Sequence, residues 1–192
     1  MNLQTPLLLA VLLLLAVQAF GQKKYEKEYR LKQNKVPAEA KKFVEALSFS
    51  GRVKWYREES LNGNTIEAKV THNQKKHSLE FDTQGNLQDV EVQINWSEIP
   101  EETQKNISKN LSAAYTNYKI NKIQVQYTGQ TSTLLALLKN QETTKEYATK
   151  YEIVVKGSKG RQVKLYEITF SQTGEMVATA EIIFRNIDNL AF

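Results

Sequence analysis

The chain has 192 residues, a hydrophobic fraction of 41%, a net charge of +5 and no cysteine. That composition belongs to a folded chain of one medium domain or two small ones. The missing cysteine excludes disulfides, thiolate metal sites, thiol nucleophiles and a lipid-anchored cysteine, so packing and sheet hydrogen bonds must hold the fold.

Residues 7–17 form an unbroken apolar run of eleven, followed by Gln18-Ala19-Phe20-Gly21. A membrane-spanning helix needs about 20 apolar residues, so the run reads as the core of a secretory signal peptide covering residues 1–21. Cleavage is expected after Gly21, with Ala19 as the alternative, giving a periplasmic or secreted protein. Residues 22–35 are a basic lead-in: Lys23, Lys24, Lys27, Arg30, Lys32 and Lys35 face only Glu26 and Glu28. The rest of the chain is close to neutral, so nucleic acid is not an expected partner. The lead-in reads as a solvated segment with an edge strand at 28–31. Its other reading is peripheral contact with an anionic membrane or polysaccharide.

Val36-Pro37-Ala38-Glu39-Ala40 opens one helical pattern and Ile99-Pro100-Glu101-Glu102 another, with proline at the start and acid in the first turn, where the helix dipole favours it. Ala40, Phe43, Val44 and Leu47 make an apolar stripe on the first helix; Ile107, Leu111, Ala114, Tyr115 and Tyr118 continue the pattern on the second. Strands follow the first helix. Ile66, Ala68 and Val70 alternate with Thr65, Glu67, Lys69 and Thr71; Leu79 and Phe81 alternate with Ser78, Glu80 and Asp82; Val90, Val92 and Ile94 alternate with Asp89, Glu91 and Gln93. Such alternation predicts antiparallel strands with one face under a helix and the other in water. Asn62-Gly63-Asn64 and Gly157-Ser158-Lys159-Gly160 are hairpin signals.

An internal repeat links the two halves, since Leu79-Glu80-Phe81-Asp82-Thr83-Gln84-Gly85 matches Ile168-Thr169-Phe170-Ser171-Gln172-Thr173-Gly174 with the same Phe-to-Gly spacing. The second half is longer. Its extra residues fall around 131–145, where Leu134, Leu135, Leu137 and Leu138 predict a short helix capping the sheet, or an apolar element that a partner covers.

A proline-initiated helix, then strands, then Phe-Asp-x-x-Gly and a last strand, given twice behind an export signal, resembles the PepSY-like domains grouped with β-lactamase-inhibitor-like proteins of the exported Bacteroidetes type. The resemblance rests on residues 36–47, 79–94, 99–118, 123–127 and 151–184. It implies an α+β fold of two tandem helix-plus-antiparallel-sheet PepSY-like repeats, 36–98 and 99–185, with helices on one face of a curved sheet and a tail at 186–192. It also implies a non-enzymatic role as a protein-binding or inhibitory module of the envelope, without specifying a target.

Little in the sequence carries catalytic chemistry. His72 and His77 flank Asn73-Gln74-Lys75-Lys76; if those four form the loop, the imidazoles lie opposite each other, but no third histidine completes a metal site and two lysines repel a cation. Asp82-Thr83-Gln84-Gly85-Asn86 reads as a turn, not a calcium loop. No nucleophile elbow, phosphate-binding glycine loop or zinc-protease motif occurs, so no cofactor and no enzymatic activity are expected. Trp55 is in phase with the core, whereas Tyr56 belongs to the other face. The expected partner-binding surface is that wet face: Tyr56, Glu67, Lys69, Glu80, Glu91, Lys150, Glu152 and Lys164. The partner would be an unidentified envelope or secreted protein.

Overall fold

The computed structural model describes residues 22–24, 26–60 and 63–183; the expected signal peptide and the tail at 186–192 lie outside them. In chain order, β1 (Gln22–Lys24) and β2 (Glu26–Arg30) lead to α1 (Ala38–Ala46) and then β3 (Lys54–Ser60), β4 (Gly63–His72), β5 (Lys75–Phe81) and β6 (Leu87–Gln93). Next come α2 (Glu101–Ala114), β7 (Asn117–Gly129), α3 (Thr131–Leu138), β8 (Tyr147–Lys159), β9 (Gln162–Ser171) and β10 (Met176–Ile182).

All ten strands belong to one sheet, in the order β1-β10-β9-β8-β7-β6-β5-β4-β3-β2. Every pairing is antiparallel except β1 with β10, which is parallel. The expectation of two tandem helix-plus-sheet repeats is therefore corrected: the fold is one ten-stranded mixed sheet with three α-helices among the described residues. The reason lies at the middle of the sheet. β6 pairs with β7 from Val90↔Tyr127 to Gln93↔Gln124, and Val90, Val92, Ile123 and Val125 are all buried on the same side. Pairing there removes two open strand edges and merges the apolar surfaces into one core.

The helices lie over the apolar face. α1 buries Ala40, Phe43 and Val44, with Leu47 just beyond its end, and Phe43 meets Phe81 edge-on at 6.0 Å. α2 buries Ile107 and Leu111 but stops at Ala114, so Tyr115 and Tyr118 are not part of its stripe as expected. Tyr115 is already extended; its ring packs on Tyr166 at 5.0 Å, and the next residue, Thr116, bonds through its N–H to the Ser158 carbonyl. The short helix expected near 131–145 is present as α3, with Leu134 fully buried.

Two turns seat the helices. At Gly85 (φ +95°) a Cβ would come within 2.7 Å of Pro37, and at Gly174 (φ +85°) within 2.7 Å of the Thr103 carbonyl. Each turn is closed by the polar side chain that follows phenylalanine. Asp82 Oδ1 accepts from the N–H groups of Gln84 and Asn86, and Ser171 Oγ accepts from those of Thr173 and Glu175. Both glycines thus have two reasons to be glycine, a left-handed backbone and a helix against their α-carbon.

Candidate functional site

The basic lead-in is not a free segment. β1 pairs with β10 at one edge of the sheet and β2 pairs with β3 at the other, with a single residue between them, so one stretch of chain ties the two edges together. The sheet consequently curls around its polar face. Lys24 reports the curl: its ammonium lies 2.6 Å from Glu167 on β9 and within electrostatic range of Glu58 on β3, Glu80 on β5, Asp89 on β6 and Glu152 on β8.

Strand register sets like charges side by side on that face. Glu67 is opposite Glu80, Glu80 is opposite Asp89, and Glu28 is opposite Glu58, pairings that repel when ionised. The carboxylates of Glu28, Glu58 and Glu67 lie within 4.8 Å of one another, as do those of Glu80, Asp89 and Glu91. Lys69 occupies the first group, 2.5 Å from Glu28 and 3.0 Å from Glu67, whose other oxygen accepts from the Ser78 hydroxyl. The second group offers three oxygen ligands where calcium takes six to eight. Its stabilising contact is an amide: Gln124 Nε2 donates to Glu91 at 2.7 Å, while Gln126 donates to Glu152 at 2.9 Å.

Burial and mutual repulsion keep Glu58, Glu80, Asp89, Glu91 and Glu152 from ionising at their usual pH. Burial, then the charges of Asp89, Glu58 and Glu67, pushes Glu80 up to about 9. Burial and the neighbouring Glu91 and Glu167 push Glu152 up to about 8, and its hydrogen bond with Glu91 favours a shared proton. Burial first, and neighbouring acids second, raise Glu58, Asp89 and Glu91 to about 7. Lys24 and Lys69 go the other way: burial disfavours their charge, but the surrounding carboxylates outweigh it and hold both ammonium groups protonated.

The expected wet face is therefore largely enclosed. Glu67 is 5% exposed and Glu91 8%, a correction that follows from the curl of the sheet. Tyr56, Lys69, Glu80, Lys150 and Glu152 share the face and are half-buried. Tyr56 has Arg30 and Lys69 each 5.1 Å from its ring centre. Lys164 is not with them. It is in phase with Tyr166 on the helix-covered side, where it pairs with Glu181 at 2.8 Å. Sequence reasoning missed Lys24, Glu28, Glu58, Asp89, Gln124, Gln126 and Glu167. Alternation by itself places Glu58, Asp89, Gln124, Gln126 and Glu167 on this face; Lys24 and Glu28 depended on the pairing of the lead-in with strands distant in sequence.

The histidines stand elsewhere. Their loop is a two-residue turn, Asn73-Gln74, both with positive φ, so His77 is opposite Val70 and not opposite His72. Phe49 packs against both rings, 5.3 Å from His72 and 5.7 Å from His77, and the Ser50 N–H donates to His72 Nδ1. Burial lowers the pKa of His77, so this is an aromatic plug at one end of the sheet.

No family model and no curated protein matches the sequence. Solved structures do. A DUF2874 family protein from Bacteroides uniformis aligns with a TM-score of 0.53 at 16% identity, covering 76% of this chain and 89% of that one. A second, from Bacteroides ovatus, aligns with a TM-score of 0.51 at 13% identity over 76% and 87%. A BLIP-like protein from Bacteroides fragilis aligns at 0.47 and 16% identity over 81% and 92%. The chain shares the fold of the two DUF2874 proteins. Among the described residues no helix is long and apolar enough to cross a membrane.

Proposed function

We propose that the protein is an exported, non-enzymatic binding module of the cell envelope, allied to PepSY-like and β-lactamase-inhibitor-like proteins, whose partner presents cationic side chains to the acidic face. The apolar run at 7–17 supports export. The observation that carries the binding reading is the acid excess on one curled face, where Glu80, Asp89, Glu91 and Glu152 crowd together with raised pKa values. A cation arriving there lets these groups ionise, so binding is coupled to proton release and charge complementarity sets specificity.

The test uses residues 22–192 as bait in native periplasm and culture medium, alongside a Glu80→Gln, Glu152→Gln variant that mimics the protonated face without ionising. A stoichiometric protein partner retained by the parent and lost by the variant is the expected result. Calorimetry of that pair in buffers of different ionisation enthalpy should then show protons released on binding between pH 6.5 and 8.5. A partner held equally by both baits rules the acidic face out.

A further inference from the structure

One strand edge in the middle of the sheet is only partly used. β7 spans 13 residues, yet β6 pairs with it only from Val90↔Tyr127 to Gln93↔Gln124, with the Ile94 N–H donating to the Ile123 carbonyl at 3.1 Å. β6 then ends, and Trp96–Glu98 forms a 3-10 turn on the way to α2. β8 continues beside β7 as far as Asn117↔Ser158. Residues 117–121 therefore have a strand on one side only, and among the described residues no backbone hydrogen bond joins them from the other side. A bulge between Ile120 and Lys122 sets this stretch off from the one that β6 occupies. Asn117, Lys119 and Asn121 are exposed, as an open edge requires. Successive residues of an antiparallel strand turn their N–H and C=O groups to opposite sides, so about half of those at 117–121 lack a strand partner.

The surroundings select what can lie there. Where β6 and β7 part is a groove of about 300 Å³ lined by residues 93–96 and 120–123, whose apolar part includes Ile94, Trp96 and Ile120. Ile120, opposite the buried Val155, belongs to the helix-covered face. On the polar face beside the same edge, Lys119 is directly opposite Lys156, and both are exposed. The residues around that pair in register, Asn117, Lys122, Val154, Ser158 and Leu165, include no acid. Among the described residues neither Lys119 nor Lys156 forms an ion pair. Lys122, nearer the acidic cluster, is in electrostatic range of Glu91.

We propose that the open edge of β7 takes an extended segment of another protein as an added strand, a segment whose side chains alternate between acidic and apolar. The unpaired backbone groups at 117–121 supply the main-chain hydrogen bonds that hold such a strand. Its side chains then point alternately to the two faces. Those on the polar face meet Lys119 and Lys156, which calls for acids; those on the other face meet Ile120 and Trp96, which calls for apolar groups. A second copy of the chain is a poor occupant, because edge against edge brings Lys119 and Lys156 towards their equivalents. The site asks for a partner of the opposite charge to the one that suits the acidic cluster, so the two readings stand or fall separately.

The probe is an end-blocked, fluorophore-labelled peptide of alternating glutamate and valine, about eight residues long so that it outspans the open stretch. Titrated with residues 22–192, it should show a saturable rise in anisotropy, and its binding should slow amide exchange at 117–121. A Lys119→Glu, Lys156→Glu variant changes two exposed side chains and should keep the fold, checked by its circular dichroism and urea midpoint. It should bind the glutamate–valine peptide at least about tenfold more weakly and take up a lysine–valine peptide that the parent does not. The Glu80→Gln, Glu152→Gln variant should bind the probe as the parent does. A block peptide of the same composition, with all glutamates before all valines, should bind more weakly than the alternating one. Absence of saturable binding, equal binding of the block peptide, unchanged exchange at 117–121 on binding, or an unchanged constant in the lysine variant overturns the proposal. A concentration-dependent dimer of the parent in which exchange at 117–121 slows without peptide also overturns it, since a second copy is then the occupant.

Discussion

Gly157 stands inside β8, where glycine ordinarily weakens a strand, and the Tyr115 ring explains it: a Cβ would sit 2.4 Å from that ring. The sequence suggests a hairpin role for this glycine, but the turn is at Gly160, with φ +59°, and Gly157 is an opening for an aromatic ring. Gly157→Ala should therefore cost about 1–3 kcal/mol by overpacking, read as a lowered urea midpoint; an unchanged midpoint would mean that Tyr115 moves aside freely. Glu80 makes a second prediction at this scale. Its folded pKa, about 9, is above the unfolded value of 4.5, so the folded state holds the proton more tightly. The stability this confers is complete below about pH 4.5 and is lost as pH rises towards 9. Thermal melts of the parent should fall across that window, and Glu80→Gln should flatten the fall, matching the parent at pH 5 and exceeding it at pH 9. Parallel curves would show that Glu80 ionises normally. Alternation in the sequence was enough to put Glu67 and Glu80 on one face; it carried no sign that the face is enclosed, because burial of a polar face depends on what the far strands do.

At the scale of elements, the local chemistry was readable. Pro37 and Pro100 open α1 and α2, the Phe-to-Gly turns close with Asp82 and Ser171, and α1 buries the stripe its spacing predicts. Where local reading failed, a neighbour intervened: the helical phase of Tyr115 and Tyr118 gave way because β7 pairs with β8 from Asn117 onward. On α3, Leu134 is fully buried while Leu135 is only partly so. Leu134→Ala should cost about 2–5 kcal/mol and Leu135→Ala distinctly less, measured by urea unfolding. Equal costs would mean that α3 can roll on the sheet. On β1, Lys24→Met removes a counter-charge shared by several acids, at a cost of about 2 kcal/mol after allowing for its partial exposure. That cost should grow from pH 6 to pH 9 as the acids ionise; a pH-independent cost would place the role of Lys24 in packing alone.

The whole molecule depends on residues 22–30 reaching both edges of the sheet. β1 completes β10 and β2 completes β3, so this short strand pair both protects edges and curls the sheet around its acids. Deleting residues 22–30 should speed amide exchange in β3 and β10 while leaving β5 to β8 slow, since the inner strands keep both partners. Unchanged exchange at β3 and β10 would show that the edges hold without them.

The sequence by itself determined the amphipathic helix α1, the alternating strands, the turn residues and the division into an apolar and a polar face. These are properties of periods of 2 and 3.6 residues and of single turn positions, and neighbours in the chain suffice to encode them. Only the tertiary structure decided that the halves merge at β6 and β7, that the lead-in adds β1 beside β10 to the edge strand expected at 28–31, and that the curl buries or half-buries the acids of the polar face and raises Glu80 to about 9. Those outcomes rest on pairings between residues as distant as Lys24 and Glu167, whose energies arise from strand edges and from charges brought together by the curl. No local pattern in the chain encodes them.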